Sequence, residues 1–453
     1  MVCSFKDSSV DLCNSLAAAA RRIATTFIDP ESISTLLANR GIPLNKNPGL
    51  RPIGIGEILR RAIGKSIMAV VKSDVEKSAG ALQLCAGQSA GVEAAIHAMK
   101  QIYEADTCDG ILLLDAENAF NRVNRAAALW NIQYDCPALK CTVINTYRRA
   151  TKIFVLGGLE IWSNEGTTQG CPLAMAMYAV AIIPLQELLH EKCKQVWFAD
   201  DGTGGDTIKK MRNWWDCVEK NGPKFGYLPK PSKSWLIVKD HKQKEAEREF
   251  KETGVQITTK GQRHLGAAIG SQEFKAEYIE SHLKKWISGV EKLSKFALTQ
   301  PHAAYSAFVR RWQTKWTFIL RTVPDLGEAL KPLEKSIREN FLPALLGKSI
   351  NDHERRLFSL PARFGGLGIP NPCELCSTSF NNSKQLTELV SLIMKQERRL
   401  NPDEMHKLQN SILASQKEEA NKHYEKKAAQ IRAESNQTLQ RAIDLGWIKH
   451  LLG

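Results

Sequence analysis

Four residues constrain this chain more than any others: Phe198-Ala199-Asp200-Asp201, read together with Asp115. An apolar segment, Lys194-Gln195-Val196-Trp197, leads into the two aspartates, and Gly202-Thr203-Gly204-Gly205 comes after them. That pattern is a strand, a carboxylate pair and a glycine-rich continuation, so a hairpin is expected over Val196–Gly202. Adjacent carboxylates repel unless a positive charge sits between them, and a hairpin tip bearing two of them is a natural cradle for a divalent cation. Asp115 ends the apolar run Ile111-Leu112-Leu113-Leu114, after which the sequence turns helical through Phe120 and Asn121. A third carboxylate at a neighbouring strand end would complete a two-metal site for phosphoryl transfer. Asp-Asp-Gly alone is also an ordinary exposed turn; the constellation makes the difference.

The rest of the chain supplies the scaffold. Residues 9–40 read as two helices, the second starting at Asp29-Pro30-Glu31. An extended segment from Gly41, a polar turn over Asn45–Gly49 and a strand over Arg51–Ile55 come next. Helices are expected over Glu57–Lys72, Gly91–Tyr103, from Pro172 through Leu188, and over Thr207–Asn221. Gly157-Gly158, flanked by short apolar runs, marks a tight hairpin. Trp235–Val238 reads as a strand. Strands interleaved with helices, some joined by hairpins, indicate an α+β domain. Beyond Gly270 strand signals fade, residues 275–347 look all-helical, and the charged sequence after 378 is helical too.

The motifs resemble those of a reverse transcriptase. Leu112–Asn121 is similar to the first palm motif, Glu165–Leu173 to the second, and Phe198–Asp201 to the third. Asn47–Gly54, Arg263-His264-Leu265-Gly266 and Leu360–Gly368 resemble segments of the non-LTR (LINE-type) retrotransposon polymerases, so that the resemblance spans roughly 28–372. A group II intron-type or telomerase-like enzyme is the alternative within polymerases. A decayed or domesticated copy that only binds nucleic acid is the alternative outside them.

The resemblance implies a right-hand polymerase of fingers, palm and thumb with a helical C-terminal extension. Its expected divisions are 1–100 for N-terminal helices and fingers, 101–270 for the palm (reverse transcriptase domain overall about 28–270), 271–377 for a helical thumb and 378–453 for a charged tail. Asp115, Asp200 and Asp201 would hold two Mg²⁺ or Mn²⁺ ions, hard cations suited to oxygen ligands. Phe120 would lie under the incoming sugar and exclude a 2′-hydroxyl. Gln169 and Gly170 would contact the nucleotide. Arg51 and Lys46 would bind its triphosphate, and Lys233 would stand near the departing pyrophosphate as a proton donor. RNA template, DNA primer or target, and dNTPs are the implied partners.

Charge agrees with a polyanionic partner. The chain of 453 residues carries a net +14 and a pI near 9.2, which favours nucleic acid without singling it out. Lys284, Lys285, Arg310 and Arg311 stand near Trp286, Trp312 and Trp316. They are the candidate duplex contacts, the tryptophans reading more naturally as core. No apolar stretch approaches the length of a membrane span. Eleven scattered cysteines suggest reduced thiols in an intracellular setting, nucleus and cytoplasm. Cys373-x-x-Cys376 has zinc-ligand spacing but no second pair, so two buried thiols are expected.

Overall fold

A computed structural model describes residues 9–45, 49–80, 83–394 and 402–434, excluding the side chains of Arg51, Pro52, Ile393 and Pro402. Two compact units result. One holds the chain up to Thr259 together with Val390–Pro402; the other holds Lys260–Leu389 and the chain from Asp403. Eleven strands are described: β1 (Asn39–Asn45), β2 (Leu50–Gly56), β3 (Gly110–Leu113), β4 (Thr151–Val155), β5 (Glu160–Ser163), β6 (Lys194–Phe198), β7 (Asp201–Asp206), β8 (Trp235–Val238), β9 (Gln256–Thr258), β10 (Gly261–His264) and β11 (Ala267–Gly270).

The first unit is mixed α/β. Its central sheet runs β6-β7-β3-β8-β9, antiparallel except for the β8–β9 pair. A second sheet runs β2-β1-β4-β5, with β1 and β4 parallel. The strand β7 is almost side-chain-free, Asp-Gly-Thr-Gly-Gly-Asp, and packing explains it. A Cβ on Gly204 would meet the Trp214 ring at 3.1 Å, and one on Gly205 would meet Ile102 at 2.8 Å. Successive strand residues face opposite ways. The helices Ile208–Asn221 and Gly91–Glu104 therefore reach the sheet at this point from its two sides. Beneath the hairpin the indole N–H groups of Trp197 and Trp214 both donate to Gln195 Oε1, at 3.1 and 3.0 Å. The Gln195 amide in turn donates to the Gln186 carbonyl at 2.7 Å. The polar groups of the Gln195, Trp197 and Trp214 side chains are thereby paired, as burial requires.

Several elements differ from the sequence expectation. The second N-terminal helix is only the single turn Ser34–Leu37, because Asn39 is already paired in β1 opposite Gly56. The helix expected over Glu57–Lys72 continues from Ile58 to Ala79 and stops at Gly80, whose φ is +55°. The long helix expected from Pro172 to Leu188 is two helices, Ala174–Ala181 and Ile183–His190. Pro184 sits in the first turn of the second, where its missing N–H is tolerated. The hairpin bearing the aspartate pair is longer than expected, Lys194–Asp206.

The second unit opens with the β10–β11 hairpin, so the change of unit falls at Thr259–Lys260 rather than at 270. The hairpin packs on the helix Gln272–Ala297, and the Tyr278 hydroxyl donates to the Gly266 carbonyl at 2.8 Å. Beyond the hairpin this unit is helical and has its own core around Trp286, Phe308, Trp316, Leu333, Ile337 and Phe341. The Phe308 and Phe341 rings stack at 4.4 Å, each at the end of a wide five-residue π-turn, Phe308–Trp312 and Ile337–Phe341. The helix Pro372–Met394 runs straight through 377–378, where a boundary is expected from the sequence and no breaker stands. The charged helix Pro402–Glu434 comes after it; the end of the expected tail, 435–453, lies outside the described residues. Among the described residues, no helix is long and apolar enough to cross a membrane.

Candidate active site

The carboxylates come from adjacent strand ends. In β3 and β7, Leu113 lies opposite Thr203, and the Leu114 N–H donates to the Gly202 carbonyl at 2.8 Å. Continuing that register places Asp115 opposite Asp201. Between β6 and β7, Phe198 pairs with Asp201, so Ala199 and Asp200 form a two-residue turn. Gly202 is required by a close approach: a Cβ there would stand 2.6 Å from the Trp197 ring. Asp115 and Asp200 are half-buried and Asp201 is exposed.

The backbone of Asp115 is fixed from both directions. Its N–H donates to Ser234 Oγ at 3.1 Å, and its carbonyl accepts from the Lys230 N–H at 2.7 Å. Ser234 is fully buried and donates in turn to the Lys230 carbonyl at 3.0 Å. The segment Lys230–Ser234 is thereby tied to the end of β3. Lys233 lies on this segment and is exposed.

Tyr227 shows that the three carboxylates share one locality. Its hydroxyl donates to the Asp200 carbonyl at 3.0 Å, and its ring meets Trp197 edge-on at 5.3 Å. Burial pushes its phenol well above the usual value, and the negative charges of Asp200, Asp201 and Asp115 push it further. Tyr178 is raised by burial, Tyr227 and Asp200 as well. Burial is also the main reason that the Cys85 thiol is pushed up to about 12, which leaves it inert as a nucleophile at neutral pH.

The first and second motifs meet beside this cluster. Phe120 is half-buried and stacks on Tyr178 at 4.5 Å. Its carbonyl accepts from the Thr167 N–H at 2.6 Å, and Gln169 Nε2 donates to Asn121 Oδ1 at 2.7 Å. Gly166 has φ +70°, and a Cβ there would lie 2.3 Å from the Asn121 backbone. Arg125 binds the two motifs together. Buried against the Tyr147 ring, it donates to the carbonyls of Ser163 (2.8 Å), Gly166 (3.0 Å) and Glu165 (3.1 Å). The Gln169 carbonyl accepts from the Gly54 N–H at 3.0 Å, which brings β2, the strand bearing Arg51, alongside exposed Gly170. The Arg51 side chain and all of Lys46 lie outside the described residues.

The remaining candidates lie in the second unit. Lys284 and Lys285 are exposed on the helix Gln272–Ala297, and Lys284 pairs with Glu280 on the same helix at 2.7 Å. Arg310 and Arg311 are exposed on the π-turn Phe308–Trp312. Trp286 and Trp316 are buried with rings 6.0 Å apart, and Trp312 donates to the Trp286 carbonyl. Trp286 and Trp316 are core, and half-buried Trp312 packs against that core. Cys373 and Cys376 are free thiols on the helix Pro372–Met394, and Cys376 Sγ donates to the Cys373 carbonyl.

Sequence reasoning missed Gln83, Arg125, Tyr227 and Ser234, whose partners are remote in the chain. For Gln83 the available signal was a lone polar residue between Leu82 and Leu84; Arg125 carried no such signal.

Among the described residues, no three His, Cys, Asp or Glu side chains are gathered tightly enough to hold a metal ion by themselves. The donor set nevertheless suits Mg²⁺. That ion is commonly held by one or two carboxylates, with substrate phosphates and water completing its octahedron, rather than by an all-protein cage.

No protein-family model matches the chain, and no curated protein sequence does. Among solved structures it is similar to apo telomerase from Candida tropicalis, at 10% identity over 85% of this chain and 72% of that one, with a TM-score of 0.46. Telomerase from Candida tropicalis in complex with the TWJ fragment of telomeric RNA is 10% identical over 90% and 70%, with a TM-score of 0.44. Telomerase from Candida albicans in complex with the same kind of fragment is 11% identical over 86% and 71%, with a TM-score of 0.39.

Proposed function

We propose that this chain is an RNA-directed DNA polymerase of right-hand architecture, of the non-LTR retrotransposon type, acting on a primer 3′-hydroxyl with dNTPs. The observation that carries the reading is the meeting of Asp115, Asp200 and Asp201 at adjacent strand ends around Tyr227. The three motif resemblances supply the reaction class.

The 3′-oxygen attacks the α-phosphorus of the dNTP, the bond to the β-phosphate oxygen breaks, and pyrophosphate leaves. Two Mg²⁺ ions held by Asp115 and Asp200, with Asp201 in support, would lower the pKa of the 3′-hydroxyl and offset charge on the leaving group. Phe120, steadied by Tyr178, forms the floor under the sugar and selects deoxyribose by excluding a 2′-hydroxyl. Gln169, held by Asn121, orients the nucleotide, and Gly170 leaves room for its backbone. Arg51 and Lys46 bind the triphosphate, Arg as a bidentate fork and Lys as a point charge. Lys233, on the segment tied to Asp115, protonates the pyrophosphate, a contribution of roughly 10²–10⁴-fold for a positioned acid. Lys284, Lys285, Arg310 and Arg311 hold the template–primer backbone.

Primer extension on matched RNA and DNA templates, with dNTPs or NTPs, tests the reading. Incorporation of dNTPs on primed RNA is expected; tight nucleic-acid binding with no extension on any template would favour a binding protein.

A further inference from the structure

The turn that presents Asp200 is held in a conformation its own sequence disfavours. Ala199 has φ +55°, in the left-handed region that side chains with a Cβ rarely occupy. Two-residue hairpins with positive φ at the first turn position ordinarily place glycine, asparagine or aspartate there, and not alanine. Alanine at this position needs an outside restraint, and Gln83 provides one. Its Oε1 accepts from the Ala199 N–H at 2.7 Å, and its Nε2 donates to the Ala199 carbonyl at 3.0 Å. Both peptide planes flanking Ala199 are thereby fixed by one fully buried side chain, 116 residues away in sequence. The clamp is itself anchored, since the Leu84 N–H donates to the Trp197 carbonyl at 2.9 Å. On the far side of the turn Tyr227 holds the Asp200 carbonyl.

We propose that Gln83 is a positioning residue for the catalytic carboxylates, holding Ala199 in its left-handed conformation so that Asp200 faces Asp115. The proposal rests on the polymerase reading of these aspartates. Without the clamp, Ala199 relaxes to negative φ, the turn no longer matches the twist of β6 and β7, and the Asp200 carboxylate swings out of place. A misplacement of about 1 Å at a reacting centre costs on the order of 10²-fold in rate.

Gln83→Leu removes both bonds and puts an apolar side chain of similar size in place of the amide. The double variant Gln83→Leu/Ala199→Gly restores the turn by another route, because glycine adopts positive φ without strain. Four quantities are compared: single-turnover dNTP incorporation on primed RNA, the Mg²⁺ concentration for half-maximal rate, primer–template affinity, and hydrogen–deuterium exchange of the segment 197–203 in metal-free protein. Gln83→Leu is expected to be about 100-fold slower, to need more Mg²⁺, to bind primer–template as before, and to exchange faster at the turn. The double variant should recover most of the rate and of the protection. A double variant as slow as the single one, or a Gln83→Leu variant as fast as wild type, overturns the proposal. If Gln83→Leu does not fold, Gln83→Met carries the same comparison, since methionine has a similar length and no N–H to donate to the Ala199 carbonyl. If the wild-type chain does not extend primers, the polymerase reading fails and exchange alone decides the clamp. Protection lost in Gln83→Leu and regained in the double variant supports it; unchanged protection refutes it.

Discussion

In the first unit, the half-buried and exposed aspartates are fixed through buried, hydrogen-bonded partners, Ser234, Tyr227 and Gln83. In the second, the candidate groups are exposed cations over a separate apolar core. Asp115 is fixed through Ser234 and Lys230, Asp200 through Tyr227, and Ala199 through Gln83. Arg310, Arg311 and Lys285, by contrast, stand at the surface of helices whose tryptophans face inward. Under the proposed polymerase reading, the contrast matches what each task would need. Phosphoryl transfer requires groups placed to a fraction of an ångström, which a sheet edge backed by buried partners provides. Holding a polyanion requires charge that can track a backbone, which exposed side chains provide at little folding cost.

The largest effect expected from this contrast is at the sheet edge. Asp115→Asn or Asp200→Asn should reduce extension to below about a thousandth of wild type, a loss of ~4 kcal/mol in transition-state stabilisation. Primer–template binding should remain. Asp206→Asn, at the other end of β7 where the carboxylate pairs with Lys210 at 3.2 Å, should keep most of the activity. Equal losses at 115, 200 and 206 in steady-state extension would mean that β7 is being unfolded rather than disarmed.

Next in size is a core substitution in the second unit. Trp316 packs between Trp286 and Phe308, with both ring pairs 6.0 Å apart. Trp316→Ala should cost about 3–5 kcal/mol in denaturant unfolding. Little change in stability would return the tryptophans to a role at the surface.

Phe120→Ala should act through substrate choice. The ring stacked on Tyr178 is half-buried, so the stability loss should fall short of the ~3–5 kcal/mol of a fully buried phenylalanine. Discrimination between dNTP and NTP should drop by roughly 10–100-fold, the size of a lost steric contact in a pocket. An unchanged ratio in a variant that still extends primers would reduce Phe120 to core packing.

The smallest expected effect is the most diagnostic of the second unit. Replacing Arg310 and Arg311 together should weaken template–primer binding on every sequence alike. It should also flatten the plot of log affinity against log salt by about one to two units, at ~0.9 per duplex phosphate contact. First-nucleotide incorporation should fall less than processivity. An unaltered slope would place both arginines against solvent.

The sequence made the chemistry-bearing elements legible because their signals are local. Four apolar residues ending in Asp115, an apolar strand ending in Phe-Ala-Asp-Asp, and the pair Gly157-Gly158 each specify their own geometry, and β3, β6–β7 and β4–β5 form there. Partnerships across the chain were not legible. Nothing near Gln83 announces that its amide serves Ala199, and nothing near Tyr227 announces Asp200. The helical break at Ile182–Ile183 is marked in the sequence only by Pro184, inside an apolar run that continues the helical pattern. The hairpin Gly261–Gly270 went with the helical unit because it packs on the helix Gln272–Ala297, a tertiary choice that composition does not record.

The central claim is that the β3 and β7 ends form a metal-dependent nucleotidyl-transfer site. Its most direct test is single-turnover extension of a primed RNA template with dNTPs, run with Mg²⁺, after chelation, and after Mg²⁺ is restored, for the wild-type chain and for Asp200→Asn. The account predicts extension by wild type that disappears on chelation and returns with the metal. It predicts none by Asp200→Asn under any condition, with both proteins binding the template–primer equally. Extension that survives chelation, or an Asp200→Asn variant as active as wild type, would contradict it.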